Sequence, residues 1–147
     1  MSDIVTEVDF LKAPCDSVAS VEEGEAIALE LLEVLRSQPH AVGIAANQIG
    51  IMKRVCVVHI DRPLTFINPQ VVSTSGTIIY KEGCLSFPGE VIKTKRFFTI
   101  SVKADNYKEI QNFVPHDEKT LLECVCIQHE IDHLNGIVMH DRISKGL

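Results

Sequence analysis

The sequence contains no tryptophan, although apolar residues make up 46% of the chain, an ordinary share for a globular protein. Basic residues are few: 14 lysines and arginines stand against 20 acidic residues, giving a formal net charge of −6 at pH 7. Phosphate backbones repel a negative chain, so we expect no direct nucleic-acid site. No apolar run approaches the length that crosses a membrane, and no secretion signal opens the chain. These absences predict a cytoplasmic protein without a membrane partner.

A disulfide framework is also absent. The five cysteines are an odd number, and without an export signal we expect them to be reduced thiols, mostly small buried residues. One or more of them could serve as a metal ligand. The 147 residues suffice for one domain with a real core but not for two, so a single domain over residues 1–147 is predicted.

The most informative stretch is Gln128-His129-Glu130-Ile131-Asp132-His133, near the C-terminal end. Two histidines four apart on a helix lie on one face, about one turn apart, so both imidazoles can reach one metal ion. Glu130, between them, can serve as a general base for a water that the metal activates. The surroundings predict a helix, because Asp117 can cap it and residues 118–135 contain neither proline nor glycine.

The apolar pattern of this helix supports a buried position. One stripe at helical spacing contains Leu122, Val125, Cys126, His129 and His133, and a neighbouring stripe contains Ile127, Ile131 and Leu134. The alternative for such a short motif is one histidine at the surface and another satisfied in the core. The helix itself offers no third ligand.

The remaining patterns predict an α+β fold. Ser20-Val21-Glu22-Glu23 fits a capping box that opens a helix ending near Ser37. Residues 1–19 are expected to be irregular, and residues 41–50 to form a packed loop. Strands are predicted at 54–60, 64–72, 77–80, 90–95, 97–104 and 111–114. Because no long helix separates these strands, we expect mostly antiparallel pairing around a C-terminal metal-binding helix, with one N-terminal helix.

Three segments together resemble the three motifs of peptide deformylase in order and separation: Gly43-Ile44-Ala45-Ala46-Asn47-Gln48, Glu82-Gly83-Cys84-Leu85-Ser86 and the Gln128 to His133 segment. The resemblance covers nearly the whole chain. Ala41 and Asn47 depart from the usual residues of the first motif. The short end after Gly136 resembles compact members of the family, including phage-encoded ones.

This resemblance implies specific roles. Cys84 would join His129 and His133 as metal ligands. Glu130 would be the general acid/base, while Gln48 and the backbone N–H of Leu85 would stabilise the oxyanion. The family removes the formyl group from the N-terminal methionine of new polypeptides and releases formate.

The resemblance also implies a cofactor and a setting. One divalent metal per chain is expected, with Fe²⁺ as the native ion and Zn²⁺, Ni²⁺ or Co²⁺ as alternatives. The expected partners are N-formyl-Met nascent peptides and the ribosome. A monomer in a bacterial-type cytosol, or in a phage-infected host cell, is expected.

Further residues are expected to bind substrate or support the metal. The predicted substrate-binding set is Val42, Gly43, Gly83, Leu122, Val125 and Cys126, of which the last three could instead serve packing alone. Glu82 and Arg96 are expected to form an ion pair that supports the Cys84 loop, the alternative being a solvated surface pair of little energetic weight.

Two other functions remain open at this point. A metallopeptidase could use the same helix, but the chain is short for a two-lobed cleft. A metal-stabilised binding module would need a fourth ligand and would leave Glu130 and Gln48 without a task.

Overall fold

The computed structural model describes residues 3–145. The helices are α1 (Val8–Leu11), α2 (Val21–Arg36) and α3 (Glu118–Leu134), with 3-10 turns at Ala46–Ile49 and Met139–Arg142. The strands are β1 (Gly43–Ala45), β2 (Val55–His59), β3 (Pro63–Ile67), β4 (Gln70–Cys84), β5 (Phe87–Lys103) and β6 (Gln111–Phe113). No helix within these residues is long and apolar enough to cross a membrane.

The strands form two antiparallel sheets of three, ordered β1-β2-β3 and β4-β5-β6. The helix α3 packs against β1, β2 and β5, so it touches both sheets. One apolar cluster includes Phe66 of the first sheet and Ile127 of α3. A second cluster joins Leu31 of α2 to Val57 and Ile67 of the first sheet. The predicted α+β class with a C-terminal helix among antiparallel strands is confirmed.

Local capping explains why both long helices begin where the sequence predicts. The Ser20 hydroxyl accepts a hydrogen bond from the Glu23 N–H at 3.1 Å. At the start of α3, the Asp117 carboxylate accepts from the Thr120 N–H at 2.8 Å, while the Thr120 hydroxyl accepts from the Asp117 N–H at 3.1 Å. Every residue of α3 from Glu123 to Leu134 is buried, as the two apolar stripes predict.

Several local predictions were wrong. Residues 43–45 form a strand rather than a loop, because they pair with residues 56–58 of β2. Residues 64–72 are two strands, because Asn68 adopts a left-handed φ of 51° and Pro69 follows it. Residues 87–103 form one continuous strand where two were predicted, and residues 8–11 form a short helix in the stretch expected to be irregular.

Candidate metal centre and active site

Three side chains that can bind a metal meet between β4 and α3. The donor atoms of Cys84, His129 and His133 all lie within 4.8 Å of one another. His133 Nε2 is 3.4 Å from Cys84 Sγ, and the two imidazole rings have centroids 5.0 Å apart. Both histidines are buried and Cys84 is half-buried.

The β4–β5 hairpin brings Cys84 to α3. Cys84 pairs with Phe87, so Leu85 and Ser86 form a two-residue turn directly after the thiol. The strand pairing is irregular between the Glu82–Ile92 and Cys84–Phe87 pairs, because β5 has four residues there, 88–91, opposite the single Gly83 of β4. Such an irregularity re-aims the side chains beside it, here at the edge facing the helix.

The ring of His129 is held by a chain of buried charged groups. His129 Nδ1 is 2.8 Å from Glu82 Oε1, which leaves Nε2 for a metal. Arg96 donates to both Glu82 oxygens, at 2.6 Å from Nε and 2.8 Å from Nη2, and from Nη1 to Asp132 at 2.6 Å. Arg142 donates to Asp132 from the solvent side. Glu82 and Arg96 are 6% and 4% exposed. They therefore form a buried ion pair, as expected, and not the solvated surface pair that was the alternative.

The electrostatics of these groups favour a positive charge at the site. Burial alone would raise the pKa of Glu82, but hydrogen bonds from Arg96 and His129 lower it to about 2. Burial alone would lower the pKa of His129, but Cys84, Glu130 and Glu82 raise it well above its usual value. The environment of His129 therefore stabilises a cation, which a bound metal can supply in place of a proton.

The donor set fits a divalent metal ion. Burial, with His129 beside it, holds the pKa of His133 well below its usual value, so its neutral ring can offer a lone pair. Two imidazoles and one thiolate are ligands that zinc and related transition metals accept. Three protein ligands leave a fourth position open, which is typical of catalytic rather than structural metal sites.

Glu130 lies beside these ligands as a buried carboxyl group. Within residues 3–145 its Oε1 has no hydrogen-bond partner, while its Oε2 lies 3.9 Å from the Cys126 thiol. Burial raises the pKa of Glu130 to about 7, although the nearby His129 partly opposes the shift. A carboxyl group with a pKa near neutrality can both accept and return a proton.

The amide of Gln48 faces the same site. Its Oε1 accepts from the Ala45 N–H at 2.9 Å, and its Nε2 donates to the Ser86 hydroxyl at 3.1 Å. The same Nε2 is 3.6 Å from Cys84 Sγ. The backbone contact therefore fixes the amide with its N–H groups towards the Cys84 loop. Ser86, which orients this amide, was missed by the sequence analysis, although it ends the second motif.

A cleft of about 670 Å³ opens over these groups. It is lined by Gln48, Glu82, Cys84, Leu85, His129 and Glu130, and by the predicted substrate-binding residues Val42, Gly43, Gly83, Leu122, Val125 and Cys126. His133 and Arg96 are not among its lining residues. Ile4, Tyr80, Phe87 and Val91 also line it and were not predicted. Of these four, only Phe87 could have been expected from the sequence, because it is an apolar residue next to the second motif.

Close approach of β1 to α3 forms one wall of this cleft. A Cβ atom added at Gly43 would lie 2.6 Å from Cys126 Sγ and 2.8 Å from Glu130 Oε2. Glycine at position 43 therefore allows this close approach, because a side chain there would force the Cys126 thiol and the Glu130 carboxyl group to shift. The space beside Glu130 is correspondingly narrow.

Comparisons with known proteins show the family of this chain. The model of the family described as polypeptide deformylase matches residues 2–146. The peptide deformylase of Heliobacterium modesticaldum is 46% identical over 105 residues, which are 71% of this chain and 68% of that protein. The peptide deformylase of Pseudoalteromonas translucida is 34% identical over 139 residues, which cover 91% of this chain and 81% of that protein.

Solved structures show the same architecture. Peptide deformylase from Thermotoga maritima superposes with a TM-score of 0.84 at 31% identity, covering 98% of both chains. A probable peptide deformylase from Synechococcus phage S-SSM7 gives a TM-score of 0.82 at 27% identity, covering 97% of this chain and all of that one. The chain therefore belongs to the peptide deformylase family, the metal-dependent hydrolases that remove the formyl group from the N-terminal formyl-methionine of newly made polypeptides.

Proposed function

We propose that Cys84, His129 and His133 hold one divalent metal per chain, and that Glu130, Gln48 and the Leu85 N–H carry out deformylation beside it. The observation that carries the proposal is that the three ligand atoms lie within 4.8 Å of one another beside a cleft that Cys84, His129 and Glu130 line. When bound, the metal supplies a Lewis acid that polarises the formyl carbonyl and makes water more acidic.

Glu130 is the proton carrier in this proposal. Its carboxylate accepts a proton from the attacking water while the oxygen of that water bonds to the formyl carbon. The same carboxyl group then returns the proton to the amine nitrogen as the carbon–nitrogen bond breaks. Formate and a free N-terminal methionine are released. The pKa of about 7 suits both transfers near neutral pH.

Gln48 and Leu85 stabilise the charge that develops on the formyl oxygen. The amide of Gln48 is fixed by Ala45 and Ser86 before substrate arrives, so it pays little reorganisation cost. Leu85 lies in the two-residue turn after Cys84 and lines the cleft. Glu82, held by Arg96, keeps the His129 ring in its ligating orientation.

The methionine side chain occupies the apolar part of the cleft. Leu122, Val125 and Cys126 line it one and two turns before His129, and they form the slot for the thioether chain. The backbone at Val42, Gly43 and Gly83 contacts the peptide. Because Gly43 approaches Glu130 so closely, the acyl end of the slot accepts a formyl hydrogen but not the methyl of an acetyl group.

Ferrous iron is the native metal in this proposal, with nickel or cobalt as stable substitutes. Ligand type and affinity order alone would favour zinc, so the choice rests on the resemblance to the family. Ferrous iron beside a thiolate is open to oxidation at either atom. We further propose a monomer that meets its substrates at the ribosome, in a bacterial-type cytosol or a phage-infected cell.

The test is turnover of formyl-Met and acetyl-Met peptides by metal-free protein reloaded under argon with iron, nickel, cobalt or zinc. We expect the iron form to cleave only the formyl peptide and to lose activity in air, while the nickel form persists. Equal, air-stable activity of the zinc and iron forms would refute the metal assignment. Comparable cleavage of the acetyl peptide would refute the proposed substrate slot.

A further inference from the structure

Asn47 lies directly before Gln48 in the 3-10 turn Ala46–Ile49, and its side chain is fully buried. Its Nδ2 donates a hydrogen bond to the main-chain oxygen of His133 at 2.9 Å. The two residues are 86 positions apart in the chain. We infer that Asn47 is a positioning residue that holds His133 through this carbonyl, an inference that rests on the metal site of the proposed function.

The end of α3 does not need Asn47 to satisfy its backbone. The last carbonyls of a helix lack partners within the helix. Here the His133 oxygen already accepts from the Gly136 N–H at 3.1 Å, and the Leu134 oxygen accepts from the Cys15 N–H at 2.9 Å. The bond from Asn47 is therefore an additional tether, and removing it leaves no buried carbonyl without a donor.

The two histidines are held in different ways. His129 is oriented through its ring, because Glu82 contacts its Nδ1 at 2.8 Å. The corresponding Nδ1 of His133 has no hydrogen-bond partner in the described part of the chain. Metal-binding histidines usually depend on a contact at the second ring nitrogen for their orientation. Since no such contact reaches the His133 ring, its position depends on its main chain, to which Asn47 adds a side-chain tether.

The position of Asn47 also links this ligand to the oxyanion donor. The adjacent Gln48 reaches the Ser86 hydroxyl, in the turn that follows Cys84. Two consecutive amides thus connect one short turn to α3 and to the β4–β5 hairpin, the two elements that carry the metal ligands. Asn47 accordingly fixes the distance between His133 and the Gln48 amide.

The experiment compares Asn47→Ala, Asn47→Leu and the control Asn106→Ala. Asn106 is a matched control, because its Nδ2 also donates to a main-chain oxygen, that of Thr65 at 2.8 Å, outside the cleft lining. The readouts are the rate at which the cobalt-loaded protein loses cobalt to a chelator and its visible absorption spectrum. The urea midpoint of each metal-free variant reports general stability.

We expect Asn47→Ala to release cobalt roughly 10- to 100-fold faster than the unchanged protein, with an altered spectrum. Asn47→Leu, which keeps the approximate side-chain volume but has no donor, should release cobalt as fast as Asn47→Ala, and Asn106→Ala should leave both readouts unchanged. Unchanged cobalt release in Asn47→Ala would overturn the inference, as would equally fast release from Asn106→Ala. If the unchanged protein binds no cobalt, the proposed metal site itself fails.

Discussion

Replacing Arg96 with lysine tests the buried charge chain behind His129. Arg96 makes three hydrogen bonds to ionised oxygens, two to Glu82 and one to Asp132, all between 2.6 and 2.8 Å. Lysine keeps the charge but lacks the planar fork, so it cannot reach both carboxylates in this geometry. At least two of the three bonds would be lost.

The size of the effect follows from burial. A hydrogen bond to a charged group contributes about 1.5–3 kcal/mol, so losing two should cost at least ~3 kcal/mol. Removing one partner of a buried ion pair altogether typically costs about 3–5 kcal/mol, and Arg96→Lys should not exceed this range because lysine keeps the positive charge. Arg142 provides a matched control, because it also donates twice to Asp132, at 3.0 and 2.9 Å, but its side chain is 40% exposed. Arg142→Lys should therefore cost below ~1 kcal/mol.

The assay is urea denaturation of the metal-free variants in the presence of a chelator, since bound metal would add its own stabilisation. We expect the free energy of unfolding to fall by about 3 kcal/mol for Arg96→Lys at an unchanged m-value. Equal losses for the two variants, or a loss under ~1 kcal/mol for Arg96→Lys, would refute the reasoning.

Three further predictions concern the cleft. Gly43→Ala should lower kcat at least ~10-fold, because the added Cβ would displace Glu130. A shift of about 1 Å in an active site can lower the rate on the order of 100-fold. An unchanged kcat would contradict this prediction. Gln48→Glu replaces a donor by an acceptor and should lower kcat by roughly 10²- to 10³-fold, while retention of activity would exclude the oxyanion role. Iodoacetamide should modify Cys84 first in metal-free protein, and peptide mass spectrometry would identify the modified residue. The reason is that burial raises the pKa of the other four thiols, for example to about 11 for Cys15. Metal should protect Cys84, and equal labelling with and without metal would contradict its role as a ligand.

Elements with local signals could be predicted from the sequence. The capping residues Ser20 and Asp117 marked the starts of α2 and α3, because capping bonds join residues three apart. The strand at residues 43–45 was missed because only its pairing with β2 makes it a strand. The break at Asn68 was missed although Asn68-Pro69 is a local turn signal. The contact of the Asn68 amide with the Val18 main chain, 50 positions away, could not be predicted.

The same limit applies to the site. His129, Glu130 and His133 could be chosen from helical spacing alone. Cys84 required the resemblance to a family, because nothing local distinguishes a ligand from a small core residue. The contacts of Asn47 with His133 and of Gln48 with Ser86 depend on the packing of distant segments. No pattern in the sequence indicates them.

Formate release from a formyl-Met peptide, measured alongside bound metal, tests the central claim most directly. The samples are the chelated protein, the same protein reloaded with iron or nickel, and reloaded Glu130→Gln. We expect turnover only from the reloaded unchanged protein, and about one metal per chain in both reloaded samples, because Glu130 acts on water and is not a ligand. Turnover by the chelated protein or by Glu130→Gln would contradict the account, as would loss of the metal from Glu130→Gln.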